Sequence, residues 1–270
     1  MWPVKILIFL ATAYLMVAAA LFAMQTSLIF PARMVGAAGP LPRGADRLEI
    51  AAASGEPLHG IHIPPAAAAG SPRPALLAFA GNAWNAENAA AFLHELFPDR
   101  DVVAFHYRGY APSGGSPSAA ALLEDAPLIH DAVAATLGRR PIVAVGFSIG
   151  SGVAAHLAAR RPLAGAILVT PFDSLGALAA GHHPWLPVRL LLRHRMEPAH
   201  DLAASRVPVA IIAGARDTLI PPPRTAALKK AVPNLVYDRA IQGAGHNDIY
   251  HHSAFAPAMA EAFRRIEGRR

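Results

Sequence analysis

The sequence predicts an α/β fold, with a mostly parallel central sheet and helices on both of its faces. Two observations carry this. Short, continuous apolar runs alternate with longer helical stretches from residue 75 onward, which is how strands buried on both faces are written. With 54% apolar residues in a chain of 270, there is enough hydrophobic material for a core on each side of the sheet.

The elements follow in order. From Ile6 to Ala32 there is no charged residue, and Ile6–Met24 is almost wholly apolar. About 20 such residues in a helix cross the hydrocarbon of a bilayer. The rival expectation is a cleaved signal peptide, with Lys5 as its basic region and Ala18-Ala19-Ala20 as the small-residue site. The apolar run continues past those alanines through Leu21, Phe22 and Met24, which favours a retained anchor over 1–32. The positive-inside rule then places the amino terminus inside and the main domain on the extracytoplasmic side. Gly36–Arg43, rich in Gly and Pro, reads as a linker, so 33–45 is expected to join the anchor to a domain over 46–270.

That domain opens with a hairpin, Arg47–Ala52 and Leu58–Ile63, turning at Ser54-Gly55-Glu56. Pro64–Pro74 is a loop by composition. Strands are then expected at Ala75–Ala80, Val102–His106, Ile142–Gly146, Ala166–Thr170, Val209–Ala213 and Leu235–Ile241. Helices are expected at Ala86–Phe97, Ser118–Leu137, Ser151–Arg161, Pro223–Ala231 and Ala254–Glu267. One connection is too long for a simple crossover. Asp173–Arg206 reads as a short cap (173–206) inserted over the carboxyl edge of the sheet.

Composition excludes several classes. With no cysteine there is no disulfide scaffold, thiol nucleophile or thiolate metal site. The net charge is +6, but the arginines are scattered apart from Arg189–Arg195 and Arg264–Arg270. No basic-aromatic surface of the nucleic-acid-binding kind is present, so no nucleic-acid partner is expected.

Chemistry concentrates at Gly146-Phe147-Ser148-Ile149-Gly150, a G-x-S-x-G pattern between a strand and a helix. Such a turn pushes the serine hydroxyl out at the carboxyl edge of the sheet. A serine needs a base to take its proton during attack. His246 is the expected base, because Gln242–Asp248 follows the last strand and its glycines permit a loop back to the sheet edge. Asp217, just past the strand Val209–Ala213, is the expected acid that orients His246, with Asp173 as its rival. The oxyanion donors are expected from the Ile149 amide and from Asn82 or Ala83, in the turn after Ala75–Ala80. No metal and no organic cofactor is called for.

Taken together these residues resemble the α/β-hydrolase superfamily. The resemblance is to a membrane-anchored, single-domain subgroup related to protein depalmitoylases and to serine-aminopeptidase-like hydrolases. It rests on Gly81-Asn82-Ala83, Tyr107-Arg108-Gly109-Tyr110 with Ser113–Ser118, Gly146–Gly150, Pro171-Phe172-Asp173-Ser174, and Gly245-His246-Asn247-Asp248. It implies an α/β-hydrolase fold, the Ser148–Asp217–His246 triad, and esterase or thioesterase chemistry. The substrate is then a small acyl ester or thioester, a lipid or an acylated protein. This chain departs from the pattern at Ala80, where relatives commonly carry His, and at Ala111, where they commonly carry Gly. Trp84 is expected to narrow the acyl pocket, and Tyr107–Tyr110 to buttress the loop facing the nucleophile. Two other readings stand beside the esterase. One is a serine peptidase of the aminopeptidase type, for which Glu197 and Asp201 are the acidic groups at hand. The other is a non-catalytic membrane scaffold. In the cap, Arg189 and Arg193 flank three leucines, a pattern that suits either anionic headgroups or a helix packed over the acyl site.

Overall fold

The computed structural model describes residues 2–66 and 73–268. Most of the loop expected at Pro64–Pro74 and the end of the Arg264–Arg270 cluster lie outside the described residues. The rest builds an eight-stranded sheet in the order β1-β2-β4-β3-β5-β6-β7-β8. The expected hairpin forms the edge pair β1 (Asp46–Ala51) and β2 (Pro57–Ile63), with Asp46 opposite His62 and Ala51 opposite Pro57. β2 pairs antiparallel with β4 (Val102–Phe105). From there β3 (Ala75–Phe79), β5 (Ile142–Phe147), β6 (Gly165–Val169), β7 (Val209–Gly214) and β8 (Leu235–Ile241) are parallel. Every residue of β3, β4, β5, β6 and β7 is buried, as their unbroken apolar runs require.

Alternation along each strand divides the core in two. Leu77 and Phe79 of β3 face α3 (Ala119–Thr136), α4 (Ile149–Ala158) and α8 (Pro222–Ala231). Leu76 and Ala78 face α2 (Ala86–Leu96) and α9 (Phe255–Glu267). Ser118, expected inside the first turn of α3, stands outside it as the cap, its hydroxyl accepting from Ala121 N. That bond satisfies one of the amides a helix start leaves unpaired. Asn85 does the same for α2, accepting from Glu87 N and Asn88 N.

The cap is three short helices: α5 (Leu175–His182), α6 (Val188–Leu191) and α7 (Pro198–Ala203). Against it lies α1 (Trp2–Ile29), a helix of 28 residues that is long and apolar enough to cross a membrane. From Tyr14 onward, one face of it packs on the domain. Phe30, which follows α1, is 2% exposed and belongs to the core on the α3–α4 side. Stretch 33–45 is held against the domain too. Val35 packs on the same core, while Gly36 O and Ala37 O accept from the Asn85 and Asn88 side-chain amides. Composition marked this stretch as free of regular structure; it could not report which side chains the backbone carbonyls would meet.

Candidate active site

Ser148 sits at φ 51° and ψ −117°, in the left-handed region that a side chain enters only under constraint. Its neighbours explain why. Ser148 N donates to Val169 O at 2.9 Å, holding the turn to β6. Ser148 O accepts from Ser151 N at 2.9 Å and Ser151 Oγ at 2.5 Å, which starts α4 immediately after the serine. The helix therefore begins two residues earlier than the sequence led us to expect. Both glycines of the motif are needed for close approach. A Cβ on Gly146 would lie 2.4 Å from Gly150 O, and one on Gly150 would lie 2.1 Å from Phe79 O. No side chain fits at either place.

His246 reaches the serine from the far end of the chain. Its Nε2 is 3.0 Å from Ser148 Oγ, and its Nδ1 is 2.7 Å from Asp217 Oδ2. With Nδ1–H donating to the carboxylate, Nε2 accepts the hydroxyl proton. The loop that carries His246 is stitched to the end of β7. Ala215 N donates to Ile241 O at 3.0 Å, Arg216 N donates to Ala244 O at 2.8 Å, and Asp248 Oδ1 accepts from Gly245 N at 2.6 Å. Asp217 is 4% exposed, and its second oxygen accepts from Leu219 N at 2.9 Å and Ile220 N at 2.7 Å. Its acceptor capacity is thus largely used, and its orientation is fixed. Asp173, the rival acid, is instead ion-paired with Arg224 at 3.2 Å.

The turn after β3 lies beside the serine, for a Cβ on Gly81 would fall 3.9 Å from Ser148 Cβ. Among the described residues neither Asn82 N nor Ala83 N donates to a backbone carbonyl. This turn is held by the tyrosines of Tyr107-Arg108-Gly109-Tyr110. Tyr107 OH donates to Ala80 O at 2.8 Å and Tyr110 OH to Asn82 O at 2.9 Å. Burial raises both phenol pKa values, so both remain donors across the working pH range. Between them Arg108 grips Asp125 with two hydrogen bonds, at 3.1 and 2.5 Å, and ties the segment to α3. The segment is a scaffold for the turn, in keeping with the expectation.

Trp84 joins an aromatic cluster. Its ring lies 5.1 Å from Phe147, 5.3 Å from Tyr250 and 5.5 Å from Phe92, on the α2–α9 side. Its ring therefore packs beneath the Ser148 turn and stays half-buried. Tyr250 went unremarked in the sequence. Burial pushes its phenol up to about 12. Its position four residues after His246 was the available signal.

A family profile described as the alpha/beta hydrolase fold matches residues 74–197. An uncharacterized protein of Mycobacterium tuberculosis is 35% identical over 218 residues, 78% of this chain and 75% of that protein. The chain belongs to the α/β-hydrolase fold family. Within it, this hydrolase-fold chain is 28% identical over 138 residues to the lysophosphatidylserine lipase ABHD12 of Danio rerio. That match covers 44% of this chain but only 36% of the lipase. Among solved structures, an esterase of Pyrococcus furiosus superposes with a TM-score of 0.68 at 18% identity, covering 86% of this chain and 96% of the esterase. A membrane phospholipase A superposes with a TM-score of 0.60 at 15% identity and covers 98% of both chains. At those identities the likeness is one of fold.

Proposed function

We propose that this protein is a serine hydrolase that cleaves ester or thioester bonds through an acyl-enzyme. Membership of the α/β-hydrolase fold family, with esterase and lipase neighbours, supports hydrolase activity. The observation that carries the finer reading is the continuous line of hydrogen bonds from Asp217 through His246 to Ser148 Oγ. In this reading His246 Nε2 takes the Ser148 proton as Oγ attacks the acyl carbonyl. Asp217 holds the imidazole and stabilises the imidazolium. The oxyanion is met by the Ile149 amide and by the Asn82 or Ala83 amide. His246 then protonates the departing alcohol or thiol, and water, deprotonated by the same ring, clears the acyl group from Ser148.

The peptidase reading has less support. Asp201 is occupied by His156 at 3.1 Å and Arg160 at 3.0 Å, so it is not poised to hold a substrate amine. A pure scaffold would gain nothing from a strained Ser148. Beyond the domain, α1 is read as a membrane anchor.

A fluorophosphonate probe tests the mechanism. The full-length protein is expected to label, Ser148→Ala is expected not to, and ester hydrolysis should fall by roughly 10³-fold or more in that variant. Equal labelling of the two proteins would sink the assignment of Ser148.

A further inference from the structure

The face that α1 turns to the domain repeats at helical spacing: Tyr14, Ala18, Leu21, Gln25 and Ile29. Polar contacts pin it at three heights. Tyr14 OH donates to Trp185 O at 3.1 Å. Gln25 Nε2 donates to Leu191 O at 3.1 Å while its Oε1 accepts from Arg193 N at 2.7 Å. Asn82 Nδ2 donates to Ile29 O at 3.3 Å. Between these pins, α1 and the cap border a half-open apolar cleft of about 140 Å³. Ala18, Leu21 and Leu28 wall one side, and Ala179, Leu186 and Leu191 the other. The Gln25 amide is consumed by its three partners, Phe22 O included. An apolar cleft of this kind favours hydrocarbon over water.

Depth decides what hydrocarbon that is. At 1.5 Å per residue, Trp2 to Ala13 covers about 18 Å, well short of the roughly 30 Å hydrocarbon core. If α1 spans, the part of the cap level with Tyr14 must enter the bilayer by about 12 Å. Trp185 at 49% exposure and Leu190 at 85% are the surfaces that would be immersed. Phe22 stands about 30 Å along the helix from Trp2, at the headgroup boundary. There the Arg193 guanidinium lies 4.7 Å from its ring and donates to its carbonyl. The lower cleft, at Ala18 and Leu21, is then level with lipid tails. Its upper end reaches Ile29, which Asn82 joins to the turn beside Ser148.

We propose that the space between α1 and the cap is the acyl-chain subsite, entered sideways from the bilayer, and that the substrate is a membrane-resident lipid ester. This rests on the serine-hydrolase reading and on α1 spanning a bilayer. The occupant is one acyl chain, with its carbonyl toward Ser148 and its methyl end toward Ala18, and the cleft holds a stretch of its methylenes. In this arrangement the membrane helix is a wall of the binding site as well as an anchor.

Two measurements on the full chain in phosphatidylcholine vesicles decide it. In the first, palmitic acid bearing a diazirine near its methyl end is photolysed and its adducts are mapped by mass spectrometry. Adducts at Ala18–Leu28 on the docked face and at Ala179–Leu192 are expected, and Leu21→Trp should remove them. Adducts confined to the outward residues Leu7, Leu10 and Leu15 overturn the proposal. In the second, the ratio of kcat/KM for 4-nitrophenyl palmitate to that for the butyrate is compared among variants. Leu21→Trp and, from the opposite wall, Ala179→Leu should each lower the ratio by about tenfold. An unchanged ratio in both overturns the proposal as well. If the wild type cleaves neither ester, the hydrolase reading fails, and the cross-linking map still decides the subsite.

Discussion

The carboxyl edge of the sheet and the seam between α1 and the cap are held by different means. At the edge, local backbone geometry does the holding. The Ser148 turn, the Asp217 turn and the His246 loop are each fixed by contacts within a few residues and by neighbouring strand ends. At the seam, side chains about 166 to 171 residues apart meet: Tyr14 with Trp185, Gln25 with Leu191, and Arg193 with Phe22. The edge tolerates almost no volume change. The seam depends on a few polar pins around an apolar space, so its substitutions should be graded in effect.

Breaking the edge should give the largest effect. Asp217→Asn preserves shape but removes the charge that holds His246 Nδ1–H, so ester turnover should drop by about 10⁴-fold with little loss of folded stability. Steady-state kinetics together with a thermal melt check this. A similar fall in stability would mean that Asp217 acts mainly through its bonds to Leu219 N and Ile220 N.

The seam comes next. Phe30→Ala leaves a hole in the core beneath α1, and denaturant unfolding in neutral micelles should show a loss of about 3–5 kcal/mol. A loss near zero would show that α1 rests on the cap without being seated in the domain.

The smallest effect is one of pH. His194 joins the seam to α3: its Nε2 is 2.8 Å from Thr26 Oγ1, Ala119 N donates to its Nδ1 at 3.4 Å, and Phe30 packs edge-on against the ring. Burial, and then the neighbouring Arg193 charge, lowers its pKa below the usual 6.5. A histidine with a depressed folded pKa contributes fully above that unfolded value. The contribution is lost as the pH falls from 6.5 toward the folded pKa, because the unfolded chain takes the proton first. Melting temperatures at pH 7.5 and 5.5 should fall further apart in the wild type than in His194→Gln. Equal differences would place the pH sensitivity elsewhere, His94 and His106 being buried histidines with the same direction of shift.

The contrast also explains what the sequence reveals. Strands β3 to β7 announce themselves because a strand covered on both faces must be apolar throughout. The arrangement around Ser148 was legible because chain order and turn chemistry constrain it: one serine between two close-packed glycines, an acid after β7, a histidine in a glycine-rich loop after β8. The aromatic cluster around Trp84 was not legible, because nothing local says which face of the sheet a side chain at a turn will choose. The seating of α1 was invisible for a related reason. Gln25 and Thr26 are ordinary polar residues near the end of an apolar run, and their partners lie in the cap, more than 160 residues away. Residues 33–45 read as a linker, since Gly and Pro record only the absence of helix and strand and leave the contacts with Asn85 and Asn88 unannounced.

The burial of Phe30 has a practical corollary for assay design. Cutting the chain at Pro31 to gain solubility would discard Phe30 with α1. Leu191 O and Arg193 N would then face water, and the cleft would become an open trough. A chain-length preference measured on such a shortened protein would describe that trough. Selectivity ascribed to the intact hydrolase should therefore be measured with its first thirty residues in place and with lipid around them.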